Sequence, residues 1–213
     1  MKILIVCSSN TCRSPYAEFI FKRLVSESDV LKKNIESVTS SAVFNQSRAM
    51  HPKTYALLLE EGFTKEELDA FKPDFILKDR KKFDEADVII GMGYLQWFLL
   101  PFKYKKKYVN LSKAAVGKNI NIPDPFYRKS MEFYKNTMDV IKTYLIVYAE
   151  KLEKAGIKVW SLGSPLGKIS IDSPREEHEN LLRKLLKLAD IFGTKRIRIF
   201  SYFVHREDYT KYR

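Results

Sequence analysis

Cysteine is scarce in this chain, with only Cys7 and Cys12 among 213 residues. Two thiols five positions apart cannot make the disulfide framework of a small secreted fold, and they fit a reducing compartment, the cytoplasm. Long apolar runs are missing too. Met1-Lys2 leads into only four apolar residues before Cys7, which does not read as a signal peptide. No stretch approaches the roughly 20 residues needed to cross a bilayer, so a membrane is not an expected partner. Acidic residues are in deficit, 26 Asp and Glu against 38 Lys and Arg, for a net charge of +12. The excess is spread, +7 over residues 1–154 (26 basic, 19 acidic) and +5 over 155–213 (12 basic, 7 acidic). Such a surface favours phosphorylated or acidic substrates. The densest basic run, Lys103-Tyr104-Lys105-Lys106-Lys107-Tyr108, reads as a solvated loop ahead of a strand, and nucleic acid is not an expected partner. What the chain does have is 45% apolar residues, enough for a core. Its length suits one ordinary domain, or one domain plus a smaller piece.

The chain is organised around Val6-Cys7-Ser8-Ser9-Asn10-Thr11-Cys12-Arg13-Ser14-Pro15. The apolar run Ile3–Val6 predicts a short buried strand. Ser14-Pro15 predicts a helix start, with Ser14 as N-cap and Pro15 in the first turn. The loop between them faces a helix N-terminus, where free N–H groups and the dipole favour an anion. Cys7 and Arg13 stand at its two ends. That spacing lets the backbone curl around a tetrahedral oxyanion, with the thiol at its centre and a guanidinium gripping two oxygens. The positive field there favours the nucleophilic thiolate. A Cys-x5-Arg pair alone is a weak signal, and its plain reading is a buried cysteine beside an incidental arginine. The preceding strand and the following Ser-Pro raise it.

Further along, residues 15–26 predict an amphipathic helix carrying Ala17, Phe19, Ile20, Phe21 and Leu24. Strands are expected over 35–43, 86–92 and 107–111. Helices are expected from His51-Pro52 to Glu61-Gly62 and over 78–85, 94–100 and 131–153. The last carries Phe133, Thr137, Val140, Ile141, Tyr144, Tyr148 and Leu152 at helical spacing. Strands alternating with helices imply an α/β fold, a four-stranded parallel sheet with helices on both faces. A ligand is then expected at the carboxyl ends of the strands, where Cys7 sits.

The stretch Cys7-Ser8-Ser9-Asn10-Thr11-Cys12-Arg13-Ser14-Pro15-Tyr16-Ala17-Glu18 resembles the phosphate-binding loop of low-molecular-weight protein tyrosine phosphatases. The usual form of that loop is Cys-x-Gly-Asn-x-Cys-Arg-Ser-Pro-x-Ala-Glu. Ser9 replaces the glycine. The resemblance covers roughly residues 2–153 and includes Asp124-Pro125-Phe126. Read alone, Asp124-Pro125 is a turn signal. The resemblance makes Asp124 the acid that protonates the leaving group and then the base that activates water. It makes Cys7 the nucleophile and Arg13 the residue that holds the phosphoryl oxygens. It implies that Ser8, Ser9, Asn10, Thr11, Cys12 and Ser14 surround the phosphate. Asn10 would keep the loop in shape, and Ser14 would stabilise the thiolate or cap the helix. Cys12 would be the partner that protects Cys7 as a reversible disulfide. Phe126 and Tyr127 would form part of the cleft wall, or pack in the core. No metal or other cofactor is expected.

The reaction implied is hydrolysis of phosphotyrosine on protein substrates through a cysteinyl-phosphate. Thr11, where the tyrosine phosphatases commonly carry a bulky aliphatic, together with Asp-Pro-Phe, resembles the protein-arginine phosphatases of the same family. That is the alternative reading. Arsenate reductases share the loop but relay a disulfide to downstream cysteines, and none follows Cys12 here. A non-catalytic phosphate-binding module is disfavoured by the joint presence of Cys7, Arg13 and Asp124.

Residues 1–154 thus read as the phosphatase domain and 155–213 as a βαβ extension. In the extension a strand is expected over 157–162. A helix is expected from the capping box Ser173-Pro174-Arg175-Glu176 to Gly193, and a second strand over 196–203. Gly163–Lys168 and Arg198–Ser201 are similar to part of a xylose-isomerase-like sugar phosphate isomerase barrel. One such unit cannot close eight strands, so isomerase activity is not expected. Its apolar edge and helix face are expected to pack on the phosphatase domain or to mediate self-association.

Overall fold

The computed structural model describes residues 1–126, 128, 130–156, 162–164, 166, 170, 174–191 and 194–200. It divides into two compact units, Met1–Gly156 and Ile157–Arg213.

The first unit runs β1 (Lys2–Cys7), α1 (Arg13–Glu27), α2 (Asp29–Asn34), β2 (Ser37–Ala42), α3 (Pro52–Glu60), α4 (Lys65–Asp69) and α5 (Lys81–Glu85). It continues through β3 (Val88–Gly91), α6 (Tyr94–Leu99), α7 (Phe102–Lys105), β4 (Tyr108–Asn110), α8 (Leu111–Val116) and α9 (Met131–Gly156). The four strands form one parallel sheet in the order β2-β1-β3-β4. The chain winds from β1 to β2 on one side and then crosses to β3 on the other. The sheet therefore reverses direction beside the carboxyl end of β1, where α/β sheets open a ligand crevice.

Alternation along β1 divides the core in two. Ile3, Ile5 and Cys7 pack with Ala17, Ile20 and Phe21 of α1 and Tyr134, Met138, Ile141 and Leu145 of α9. Leu4 and Val6 pack on the other face with Phe83, Leu100 and Tyr104. A Cβ at Gly91 would overlap the ring of Tyr108. Glycine there lets Tyr108 lie across β3 and donate its hydroxyl proton to the Gly93 carbonyl at 2.5 Å.

Several expectations shift in register. α1 starts at Arg13 with Cys12 at the N-cap and no side-chain cap, so Ser14 is inside the helix rather than capping it. In α9 Val140 is 42% exposed, while Tyr134, Met138 and Leu145 are buried. Thr137, Ile141 and Tyr148 of the expected stripe are buried with them, so the buried face overlaps the expected one and departs from it at Val140. α5 begins at Lys81 rather than 78, after a turn in which the Lys78 and Asp79 N–H groups both donate to the Phe75 carbonyl. The basic run over 103–108 is not a loop. It holds the end of α7, a buried Tyr104, and a Lys107 ammonium that donates to the carbonyls of Phe83, Asp84 and Ala86. No helix among the described residues is long and apolar enough to cross a membrane.

In the second unit, β5 (Leu162–Gly163) and β6 (Ile197–Arg198) pair in parallel, with α10 (Glu176–Ile191) between them in sequence. α10 begins at Glu176, so Pro174 lies outside the helix rather than at its first position. The expected strand residues 157–161 and 201–203, and the helix end at Phe192-Gly193, lie outside the described residues, as does the cap residue Ser173.

Candidate active site

The loop from β1 to α1 is built around Asn10. It is the one non-glycine residue with positive φ among those described, at 54°. Asparagine tolerates that region at little cost. Ser9 does not adopt it, so serine fits at the place of the family's glycine. The Asn10 side chain is fully buried. Its Nδ2 donates to Ser14 Oγ at 2.9 Å and to Ser40 Oγ at 2.7 Å, and its Oδ1 accepts from the Asp74 N–H at 2.8 Å. One amide thus fastens the loop to α1, to β2 and to the segment after α4. Ser14 Oγ then donates to Cys7 Sγ at 3.0 Å. Its hydroxyl serves the thiol rather than the helix backbone.

Arg13, at the first residue of α1, is 5% exposed. Nη1 donates to the Ile122 carbonyl at 3.1 Å, and Nη2 is ion-paired with Asp124 Oδ2. Its Nε–H is buried and has no acceptor. Asp124 is held in turn. Its Oδ1 accepts the Phe126 N–H at 3.2 Å, and the chain before it is tied down by Ile122 N–H to the Met92 carbonyl at 2.8 Å. A buried guanidinium with a spare N–H, next to a carboxylate and a thiol, is a site for a phosphate-sized oxyanion.

Cys7, Arg13 and Asp124 line one cavity of about 320 Å³, together with Ser8, Ser9, Thr11, Cys12 and Phe126. The loop residues Asn10 and Ser14 do not line it; they support it from behind. Tyr127 lies outside the described residues. Sequence reasoning missed Phe44, Asn45, Ser47 and Leu95, which also line the cavity. They follow β2 and open α6 without any motif of their own. A larger cavity, about 750 Å³, lies beside Phe19, Phe63 and Phe71. It contains neither the thiol nor Asp124, so size does not locate the chemistry. Burial, the largest influence on Cys12, pushes its thiol up, against hydrogen bonds from Tyr134 and Thr11. Both cysteines are free thiols. Among the described residues no group of His, Cys, Asp and Glu is placed to hold a metal.

His51 links this cleft to the helix behind it. Its ring stacks on Tyr134 and meets Phe126 edge-on, with centroids 5.4 and 5.7 Å away. Its backbone N–H donates to the Thr11 carbonyl at 3.0 Å, and its ring Nδ1 caps α3 by accepting the Lys53 N–H at 3.2 Å. Burial, then the Lys53 charge, holds its pKa below the ordinary imidazole value. Because the folded value is depressed, this contribution to stability is complete above the unfolded pKa of about 6.5 and is lost as pH falls through the folded one. His51→Ala is expected to cost about 1 kcal/mol at pH 8, the worth of a helix cap. It is also expected to flatten the fall in stability between pH 7 and 5. Urea unfolding at both pH values checks this, and an unchanged slope contradicts it.

Comparison with known proteins agrees with this geometry. The low molecular weight phosphotyrosine protein phosphatase family matches over residues 2–158. The chain is 27% identical over 157 residues to the protein-arginine-phosphatase of Bacillus subtilis (strain 168), covering 72% of this chain and 98% of that one. It is 35% identical over 149 residues to the low molecular weight protein-tyrosine-phosphatase PtpB of Staphylococcus aureus, covering 68% and 95%. The crystal structure of a low molecular weight phosphotyrosine phosphatase from Vibrio cholerae superposes with a TM-score of 0.61 at 25% identity, over 74% of this chain and 99% of that one. The strand–loop–helix around Cys7, the parallel sheet behind it and these matches have one explanation: the chain is a phosphatase belonging to the low molecular weight phosphotyrosine protein phosphatase family.

Proposed function

We propose that this enzyme hydrolyses phosphotyrosine on proteins through a cysteinyl-phosphate. The observation that supports it most is the single cavity shared by Cys7, Arg13 and Asp124, the last of them more than 100 residues from the other two in sequence. A phosphate monoester enters with its oxygens on the Arg13 guanidinium and the loop N–H groups. The Cys7 thiolate, held by the Ser14 hydroxyl, attacks phosphorus while the P–O bond to the tyrosine breaks. Asp124 gives its proton to the departing oxygen. In the second step the Asp124 carboxylate takes a proton from water, whose oxygen attacks phosphorus as the S–P bond breaks. Thiolate and phosphate result. The two free thiols suit a reducing cytoplasm.

A second reading, phosphoarginine hydrolysis, is favoured by Thr11, one of the residues that line the cleft, and by the name of the Bacillus relative. Rates on matched phosphotyrosine and phosphoarginine peptides decide between the two. If phosphoarginine is the substrate, Thr11→Ile is expected to lower activity on it about tenfold relative to p-nitrophenyl phosphate, by removing a hydroxyl beside the reacting phosphorus. An unchanged ratio removes Thr11 from the argument.

We also propose that the second unit is a βαβ piece of an isomerase-like barrel that mediates self-association. A two-stranded sheet is marginal alone. Leu182, Leu186 and Ile199 of this unit are 40%, 51% and 65% exposed. Deleting residues after 154 is expected to convert a dimer to a monomer in light scattering. An unchanged oligomeric state rejects it.

A further inference from the structure

Beside the catalytic cleft lies a second cavity of about 330 Å³, near the small end of ligand-sized sites. It is lined by Tyr94, Trp97 and Tyr108 and by Lys113, Asn119 and Asn121. The two cavities share no lining residue, yet they are neighbours. Leu95 of α6 lines the cleft, while Tyr94 and Trp97 of the same helix line the second cavity. The segment carrying the acid does the same, with Asn121 in one and Asp124 in the other. Asn121 Oδ1 accepts the Tyr94 N–H at 2.9 Å, which joins α6 and that segment into one partition.

The second cavity is a built one. Tyr94 and Trp97 lie with ring centroids 5.2 Å apart. The Lys105 ammonium sits over Trp97, 4.4 Å from its centroid. Tyr108 is pinned by its hydrogen bond to Gly93. Lys113 is exposed and makes no ion pair among the described residues. Fixed aromatic rings beside a free ammonium suit a flat apolar group with a carboxylate close by.

We propose that this cavity is a recognition subsite for the substrate protein. It takes an aromatic side chain and a neighbouring carboxylate from the segment flanking the phosphorylated residue. The proposal rests on the phosphatase reading above. A helix is about 10 Å across, and about three extended residues span that distance. A phosphorylated side chain in the cleft therefore delivers its near neighbours to Tyr94 and Trp97 across Leu95. The basic excess of the chain favours an acidic flank.

The test uses the full-length protein and a set of phosphopeptides, made with both phosphotyrosine and phosphoarginine. A Phe-Glu pair is moved through the four positions on either side of the phosphorylated residue, against an Ala-Ser control. One placement is expected to raise kcat/KM about tenfold, chiefly through KM. Trp97→Ala and Lys113→Ser are each expected to erase that gain while leaving p-nitrophenyl phosphate, which has no flank, unchanged. No preference at any position, or equal losses on the small substrate, overturns the subsite. If the wild type turns over neither substrate class, the phosphatase reading fails instead. The subsite is then read without turnover, by quenching of Trp97 fluorescence with the unphosphorylated Phe-Glu peptide in a Trp160→Phe background. Quenching that Lys113→Ser weakens supports it, and no quenching rejects it.

Discussion

Cys7→Ser is expected to lower kcat on p-nitrophenyl phosphate by at least about 10⁴-fold, because the hydroxyl carries almost no anion near neutral pH and is a far poorer nucleophile than a thiolate. The substitution is nearly isosteric. Ser14 Oγ, which donates to Cys7 Sγ at 3.0 Å, keeps a partner. Neither Arg13 nor the Asn10 brace touches the sulfur by any hydrogen bond, so the oxyanion cradle is expected to survive. Inorganic phosphate is therefore expected to bind the variant within about threefold of its wild-type affinity, a small change beside the lost turnover. That split separates a missing nucleophile from a collapsed loop. Residual turnover within tenfold of the wild type, measured by steady-state kinetics in reducing buffer, contradicts a cysteinyl-phosphate route. A wild type that binds phosphate but turns over no substrate points to the binding-module reading.

How far the sequence alone reaches depends on the range over which each feature is determined. The β1 strand, the loop and α1 are local. Four consecutive apolar residues and Ser-Pro mark them, and Asn10 carries the one left-handed backbone position outside glycine among the described residues. What surrounds that motif is not local. Ser14 has the chemistry of an N-cap, yet its hydroxyl donates to a sulfur seven residues earlier, because a tertiary partner outcompetes its own backbone. Ser40 and Asp74, which complete the Asn10 network, come from β2 and from the chain after α4. No spacing rule connects them to the loop. Short helices escape for a different reason. α4, α7 and α8 span five, four and six residues, too few to show a helical period. α4 opens on a capping box of Thr64 and Glu67, with too few residues behind it to show a period. In α9 the period is clear, and its phase is legible at Thr137, Ile141 and Tyr148 but not at Val140. Aromatic and apolar residues stand on two adjacent stripes, and only packing against α1 and α8 decides that Tyr134, Met138 and Leu145 face inward. The cleft walls Phe44 and Leu95 are legible only once β2 and α6 have been placed beside the loop.

Asp124→Asn carries the other large effect. Asparagine retains an oxygen to accept the Phe126 N–H and keeps the turn between Pro123 and Pro125. What it loses is the proton for the leaving group and the basic oxygen for water. A general acid or base in this position contributes about 10²–10⁴-fold. The loss in kcat is expected to approach the upper end with phosphotyrosine peptides. It is expected to be smaller with p-nitrophenyl phosphate, whose phenolate departs with little help. Affinity is expected to move the other way. Asp124 is ion-paired with Arg13, the residue that would grip the phosphate. Removing that negative charge frees the Nη2 donor and takes a like charge away from an incoming dianion. Inorganic phosphate is accordingly expected to inhibit Asp124→Asn more strongly than it inhibits the wild type, by several-fold at low ionic strength and less in high salt. Weaker turnover with tighter product binding distinguishes an acid that competes for Arg13 from a residue that merely shapes the cleft. A variant with wild-type kcat on phosphotyrosine peptides, or with phosphate affinity lowered alongside kcat, removes Asp124 from the mechanism.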